Sequence, residues 1–162
     1  MRASVRSRTI IMSVLAVLAM TLLRPAFARA SAEGQLVVIT SPQSSLRNVT
    51  MEDLKRLYLG ESRMLATGQD AQLVEYGPAR QRFYKRVARM SETLVKRRWI
   101  ALVFAGESVA PPREFQDAAE LRRFVNEHPN AIAFISYALA DASVKILAVD
   151  GRQPTDSGYP LR

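Results

Sequence analysis

The stretch from Leu73 to Gly106 constrains this chain more than any other. It holds an apolar pair, a Gly-Pro corner, a basic amphipathic segment, a break at Ser91 and a second amphipathic segment that ends on glycine. Leu73 and Val74 predict a short strand. Gly77 admits unusual backbone angles and Pro78 carries the fixed φ of a first helical position, so the strand is expected to run straight into a helix. Such a corner leaves backbone N–H groups pointing outward at the positive end of a helix dipole, which favours an anion. Phe83, Val87 and Met90 follow at helical spacing and turn one face of that helix inward. Arg80, Arg82, Lys85, Arg86 and Arg89 occupy the rest. Ser91 then caps a second helix, whose buried stripe is expected to be Leu94, Val95, Trp99, Leu102 and Val103, with Gly106 as its stop.

Similar alternations flank this unit. Gln35–Thr40 (QLVVIT) reads as a strand and Ser41–Asn48 as a loop. Thr50 and Asp53 form a capping-box start for a helix whose inward face is Met51, Leu54, Leu57 and Tyr58, ending at Gly60. Glu107–Glu114, with Pro111-Pro112 inside it, reads as a loop. Asp117 and Glu120 open a last helix that buries Leu121, Phe124 and Val125 and stops near His128-Pro129. Ala131–Tyr137 (AIAFISY) is a strand apolar enough to be buried on both faces, and Val144–Val149 is another. The fold class expected is α/β: a central mixed or mostly parallel sheet of about four to five short strands flanked by helices.

The N-terminus carries an address rather than a structural element. Arg2, Arg6 and Arg8 precede an apolar run from Thr9 to Leu23, followed by small residues at Ala26, Ala28, Ala30 and Ala32. This is the pattern of a cleaved secretory signal peptide. Residues 1–30 are assigned to it, with cleavage preferred after Ala30, and 31–162 to a single domain in the periplasm. The signal removes five arginines and no acid, leaving 18 of the 23 basic side chains against all 15 acids: a net charge of +3 instead of +8. That balance and the export signal argue against nucleic acid as a partner. With no cysteine and one histidine, disulfides, thiolate metal sites and multi-histidine metal sites are excluded. No cofactor is implied.

Several segments together resemble a known family. They are TMEDLKRLYLGES, the corner followed by RQRFYKRV, WIALVFAGESVAPP, HPNAIAFISY, VKILAVDGRQPT and SGYPLR. In this order they are similar to the phosphate-binding proteins of ABC uptake systems, in the type II periplasmic binding protein superfamily, and more narrowly to short relatives with a single lobe. The family's features are met by Leu57-Tyr58-Leu59-Gly60, by Trp99 with Phe104-Ala105-Gly106, by Pro129-Asn130-Ala131-Ile132 (Asn130 keeping a left-handed turn), by Asp150-Gly151 and by Tyr159-Pro160. The resemblance implies a non-enzymatic protein of that fold whose ligand is phosphate or another small oxyanion. Where two-lobed relatives place an arginine and a Ser-Gly-Thr run, this chain has Glu75-Tyr76-Gly77-Pro78-Ala79, without the hydroxyls.

The candidate ligand-binding residues are therefore Gly77, Ala79, Arg80 and Arg82 at the corner, with Ser41 from the loop after the first strand. A second reading is a periplasmic interaction module of the same fold that has lost ligand binding. It would use the eight Lys and Arg between Arg80 and Arg98, or the exposed former cleft, against an envelope membrane protein or a second copy of itself. Glu75 discriminates between the two readings: pairing with the arginines would occupy the corner. His128 has neither a nucleophile nor an orienting acid nearby in sequence, and reads as a helix-end residue.

Overall fold

A computed structural model describes residues 34–162; the signal-peptide assignment lies outside the described residues. The strands are β1 (Leu36–Thr40), β2 (Asn48–Val49), β3 (Gln72–Tyr76), β4 (Arg113–Phe115), β5 (Ala131–Ser136), β6 (Lys145–Ile146) and β7 (Ala148–Val149). The helices are α1 (Met51–Tyr58), α2 (Arg80–Val87), α3 (Glu92–Phe104) and α4 (Ala118–Glu127), with short 3-10 turns at Gly77–Ala79 and Tyr137–Leu139. Five strands form one sheet in the order β4-β3-β5-β1-β6, and β2 pairs with β7 separately. β3 lies parallel to β4 and β5, whereas β1 is antiparallel to both β5 and β6. The sheet is thus mixed, with β1 alone running against its neighbours.

Local chemistry accounts for most element ends. Thr50 Oγ1 accepts from Asp53 N (3.0 Å) while Asp53 Oδ2 accepts from Thr50 N (3.4 Å), closing the capping box of α1. Asp117 Oδ1 accepts from the N–H groups of Ala119 and Glu120 at the start of α4, and Ser91 Oγ accepts from Leu94 N at the start of α3. α1 stops at Gly60, where φ is +70° and an added Cβ would lie 2.6 Å from Leu102 Cδ1. Only glycine satisfies both the backbone angle and this close approach of α3.

Among the described residues the core is continuous from Leu36 to Leu161. At its centre Phe83 stacks on Phe134 (centroids 3.8 Å apart, planes 7° apart), with Tyr58 edge-on to both. The Tyr58 hydroxyl lies 3.0 Å from the carbonyls of Val74 and Ile132, tying α1 to β3 and β5. Trp99 Nε1 donates to Tyr58 O at 3.0 Å, so the indole is satisfied while its ring packs on α1.

Several sequence expectations are corrected here. Glu107–Glu114 is not all loop: Arg113–Phe115 is the edge strand β4, beginning just after Pro111-Pro112, where missing donors cost no ladder bond. Val144–Val149 is two strands, because the chain leaves β1 after Leu147 N donates to Val38 O and crosses to β2. In α3 only Val95 and Trp99 are buried, with Leu102 partly so; Leu94 and Val103 remain half exposed and Phe104 is 87% exposed. α3 packs on α1 and α2 along one narrow side, and nothing among the described residues covers the other. Gly77 and Asn130 do not adopt positive φ; Arg89 and Asp150 do, apart from glycines. Asn130 instead donates its amide to Asp70 O at 2.9 Å.

Candidate functional site

The carboxyl ends of β3, β4, β5 and β6 collect at one edge of the sheet. β1 runs the other way, so its N-terminal end meets them: Leu36 is opposite Ser136, whereas Thr40 is opposite Ile132. Gly77–Ala79, Gln116 and Tyr137–Leu139 therefore lie at one edge together with Gly34 and Gln35.

This register removes Ser41 from the candidate site. Thr40 and Leu73 both pair at the level of Ile132, so Ser41, one residue further, is level with Gln72 at the opposite edge from Gly77, about 16 Å away along the strands at ~3.3 Å per residue. Its buried hydroxyl donates to Asn126 O (2.9 Å) and accepts from Gln43 N (3.3 Å). It is a tie between the β1 loop and the end of α4.

The corner itself is a 3-10 turn followed by α2, with Arg80 N donating to Gly77 O. Gly77 lies beneath the Gln116 side chain, whose Nε2 would be 2.5 Å from an added Cβ. The backbone angle is an ordinary one and the exposed Gln116 amide is free to move aside, so neither the turn nor this approach demands glycine. Pro78 is exposed and Ala79 wholly buried.

Arg80 and Arg82 diverge. Two positions along a helix are ~200° apart around its axis, so both cannot face one ligand. Arg80 turns inward and is 7% exposed. Its Nη1 and Nη2 donate to Glu114 Oε2 and Oε1 at 2.9 and 2.6 Å, and its Nε lies 3.7 Å from Glu75 and 3.9 Å from Glu92. Three carboxylates thus surround this guanidinium. Glu75 also accepts from the Tyr84 hydroxyl. Burial pushes the Glu75 carboxyl above its ordinary range, against the opposing pull of Tyr84 and Arg80. Burial and Glu75 together push the Tyr84 phenol up as well.

Arg82 is exposed at the carboxyl edge. Nη1 donates to Gly34 O (3.3 Å) and Nη2 to Ser136 Oγ (3.2 Å), bridging the start of β1 and the end of β5. Of the five candidates, Gly77, Ala79 and Arg82 stay together at this edge; Arg80 belongs to the core and Ser41 to the far edge.

Sequence reasoning did not find two concavities. One, about 360 Å³, lies between α3 and Pro111-Pro112, with Ile100, Val103 and Phe104 as its apolar wall and Glu75, Arg80 and Tyr84 at its floor. The other, about 520 Å³, is lined by Gly34, Leu36, Leu161 and four cationic residues of the α2 segment, Arg82, Lys85, Arg86 and Arg89. Their i, i+3, i+4, i+7 spacing was the available signal for the second. His128 sits at the end of α4, its Nδ1 2.7 Å from Phe124 O and its ring stacked on Phe124.

No protein-family model and no curated protein sequence matches the chain. Solved structures do. An ABC-type phosphate transport receptor from Vibrio cholerae superposes with a TM-score of 0.62 at 21% identity, covering 78% of this chain and 52% of that one. A putative phosphate ABC transporter substrate-binding protein with bound phosphate from Clostridium perfringens gives 0.58 at 20% identity, covering 75% and 47%. PstS from Borrelia burgdorferi gives 0.54 at 16% identity, covering 78% and 53%. The chain spans about half the length of the structures it matches. At these identities the likeness is one of fold: the chain is an α/β relative of the fold of phosphate ABC transporter substrate-binding proteins.

Proposed function

We propose that the chain is an exported, non-enzymatic single-lobe binding protein for phosphate or a related oxyanion, linked to ABC-type phosphate uptake, whose binding is weak or completed by a partner. The observation that carries this reading is the superposition of most of the chain on receptors of that kind, one of them holding phosphate. In the α/β architecture ligands gather at the carboxyl edge of the sheet, where Gly77, Ala79 and Arg82 lie. Weakness follows from Arg80 being taken by carboxylates and from a site open to water, where hydration and screening stay high. Export to the periplasm is part of the proposal and draws on residues 1–30.

A second reading, an interaction module of this fold that has lost ligand binding, draws on the pairing of Glu75 and Glu114 with Arg80. The receptors that superpose on the chain weigh against it.

Calorimetric titration of residues 31–162 with phosphate separates the two. Saturable heat that survives moderate salt and is lost in Arg82→Ala supports an oxyanion site at the carboxyl edge. A folded protein that gives no heat up to millimolar phosphate overturns the proposal and leaves the interaction module.

A further inference from the structure

We infer that the concavity between α3 and Pro111-Pro112 binds a small uncharged molecule with an aromatic or alkyl body and one acceptor oxygen. Its volume of about 360 Å³ falls in the range of small-molecule sites. The walls are apolar: Ile100, Val103 and Phe104 come from α3, and Pro111 and Pro112 from the segment before β4. Three of the six large apolar side chains exposed among the described residues meet here, namely Ile100, Val103 and Phe104. Apolar side chains scattered singly over a surface need no explanation; a group of them along one cavity does.

The polar groups define the occupant. The lining holds two acids, Glu75 and Glu114, and two bases, Arg80 and Lys96. Each already has an opposite charge beside it: Arg80 lies 3.7 Å from Glu75 and 2.6 Å from Glu114, and Lys96 lies 3.7 Å from Glu92. A charged ligand would find no free counter-ion and would lose hydration on entry, so an uncharged one is favoured. One donor is left over. Arg80 is 7% exposed, its Nη atoms donate to Glu114, and its Nε has no hydrogen-bond partner among the described residues. Glu75 and Glu92 stand 3.7 and 3.9 Å from that nitrogen, beyond hydrogen-bond distance. Nε is enclosed here; of its two neighbours Glu92, with a side chain 34% exposed against 8% for Glu75, is the one with room to move aside. A buried donor left unpaired is costly. An acceptor oxygen satisfies it while the body of the ligand covers Ile100, Val103 and Phe104. Gly77, Ala79 and Arg82 are not among the lining residues, so this site is separate from the oxyanion site proposed above.

Fluorescence titration with phenylnaphthylamine, an uncharged probe that brightens in apolar surroundings, reads the site. The chain is expressed from its full sequence and used in the form recovered, for the wild type and every variant alike. Saturable binding is expected. Ile100→Ser combined with Val103→Ser removes two wall side chains that are already half exposed, so the fold is kept and affinity should fall at least about tenfold. Met64→Ser combined with Leu139→Ser removes exposed apolar surface outside the cavity and should change affinity less than about twofold. In displacement of the probe, acetylnaphthalene should act at lower concentration than isopropylnaphthalene, although it is the less apolar of the two, because only it carries an acceptor. Naphthoate and naphthylmethylammonium should each be at least about tenfold weaker than acetylnaphthalene. No saturable binding, an equal loss in the two double variants, preference for the isopropyl compound, or tighter binding of either ion would each overturn the inference. So would a concentration-dependent dimer that the Ile100→Ser, Val103→Ser variant fails to form, which would assign the wall to a second copy of the chain. Millimolar phosphate should not displace the probe, so this test and the phosphate titration can fail independently.

Discussion

Arg80 grips Glu114 through two N–H···O contacts of 2.9 and 2.6 Å, and this pair joins α2 to the edge strand β4. Glu75 on β3 lies 3.7 Å from the same guanidinium. An arginine that reads in sequence as an anion-binding residue is instead a fastener between a helix and two strands.

Arg80→Ala should therefore lower stability rather than abolish a binding site. It strands Glu75, which is buried, and Glu114, whose side chain is 38% exposed. The expected loss is about 2–4 kcal/mol, below the upper range for a fully buried pair because Glu114 reaches water. Arg80→Lys should recover less than half of it, since an ammonium cannot make the two-pronged contact. Urea denaturation at pH 7 measures both; a midpoint unchanged in Arg80→Ala would show that the network contributes nothing net.

Glu75 gives this protein a pH dependence of known sign. Burial raises its folded-state pKa above the ordinary 4.5, so the native state holds a proton that the unfolded chain releases earlier. Stability from this group is fully present below the unfolded value and is lost as pH climbs through the folded one. Glu75→Gln keeps an acceptor for the Tyr84 hydroxyl and removes the titration. The variant's stability should fall less than the wild type's between pH 4.5 and pH 8, read from denaturation curves across that range. Parallel curves for the two proteins would contradict this.

The two phenylalanines Phe83 and Phe104 should behave oppositely. Phe83 is fully buried in its stack with Phe134, and Phe83→Ala should cost about 3–5 kcal/mol. Phe104 is 87% exposed at the end of α3, and Phe104→Ser should change stability by less than about 0.5 kcal/mol. Thermal melts of the two variants make the comparison directly. A large loss in Phe104→Ser would mean that the outer face of α3 is covered in solution.

Ser41→Ala tests the placement of the β1 loop. The hydroxyl's bond to Asn126 O would be lost inside the protein, at a cost of about 1–2 kcal/mol. Any heat of phosphate binding should be unaltered. A phosphate affinity that falls in this variant while its melting temperature holds would return Ser41 to the site.

Much of the fold was legible because its signals are local. The Thr50/Asp53 box, the Ser91 and Asp117 caps, the stop at Gly60 and the apolar runs of β1 and β5 act over a few residues. β4 was hidden because three residues after a proline pair carry almost no periodicity, and its pairing with β3 is made by residues distant in the chain. The outer face of α3 was misread as core because apolar spacing reports which residues share a face, not whether another layer exists to cover it.

The sequence by itself determined the alternation of strands and helices, the corner after β3 and the cationic composition of α2, because capping, turn chemistry and apolar period are short-range properties. Only the tertiary structure decided the direction of β1 in the sheet and the rotation of α2 on its neighbours. The first sends Ser41 to the far edge; the second points Arg80 into a nest of carboxylates and Arg82 out towards Gly34. Both are set by which long-range packing buries the most apolar surface while pairing every buried charge, and no window of a few residues contains that comparison.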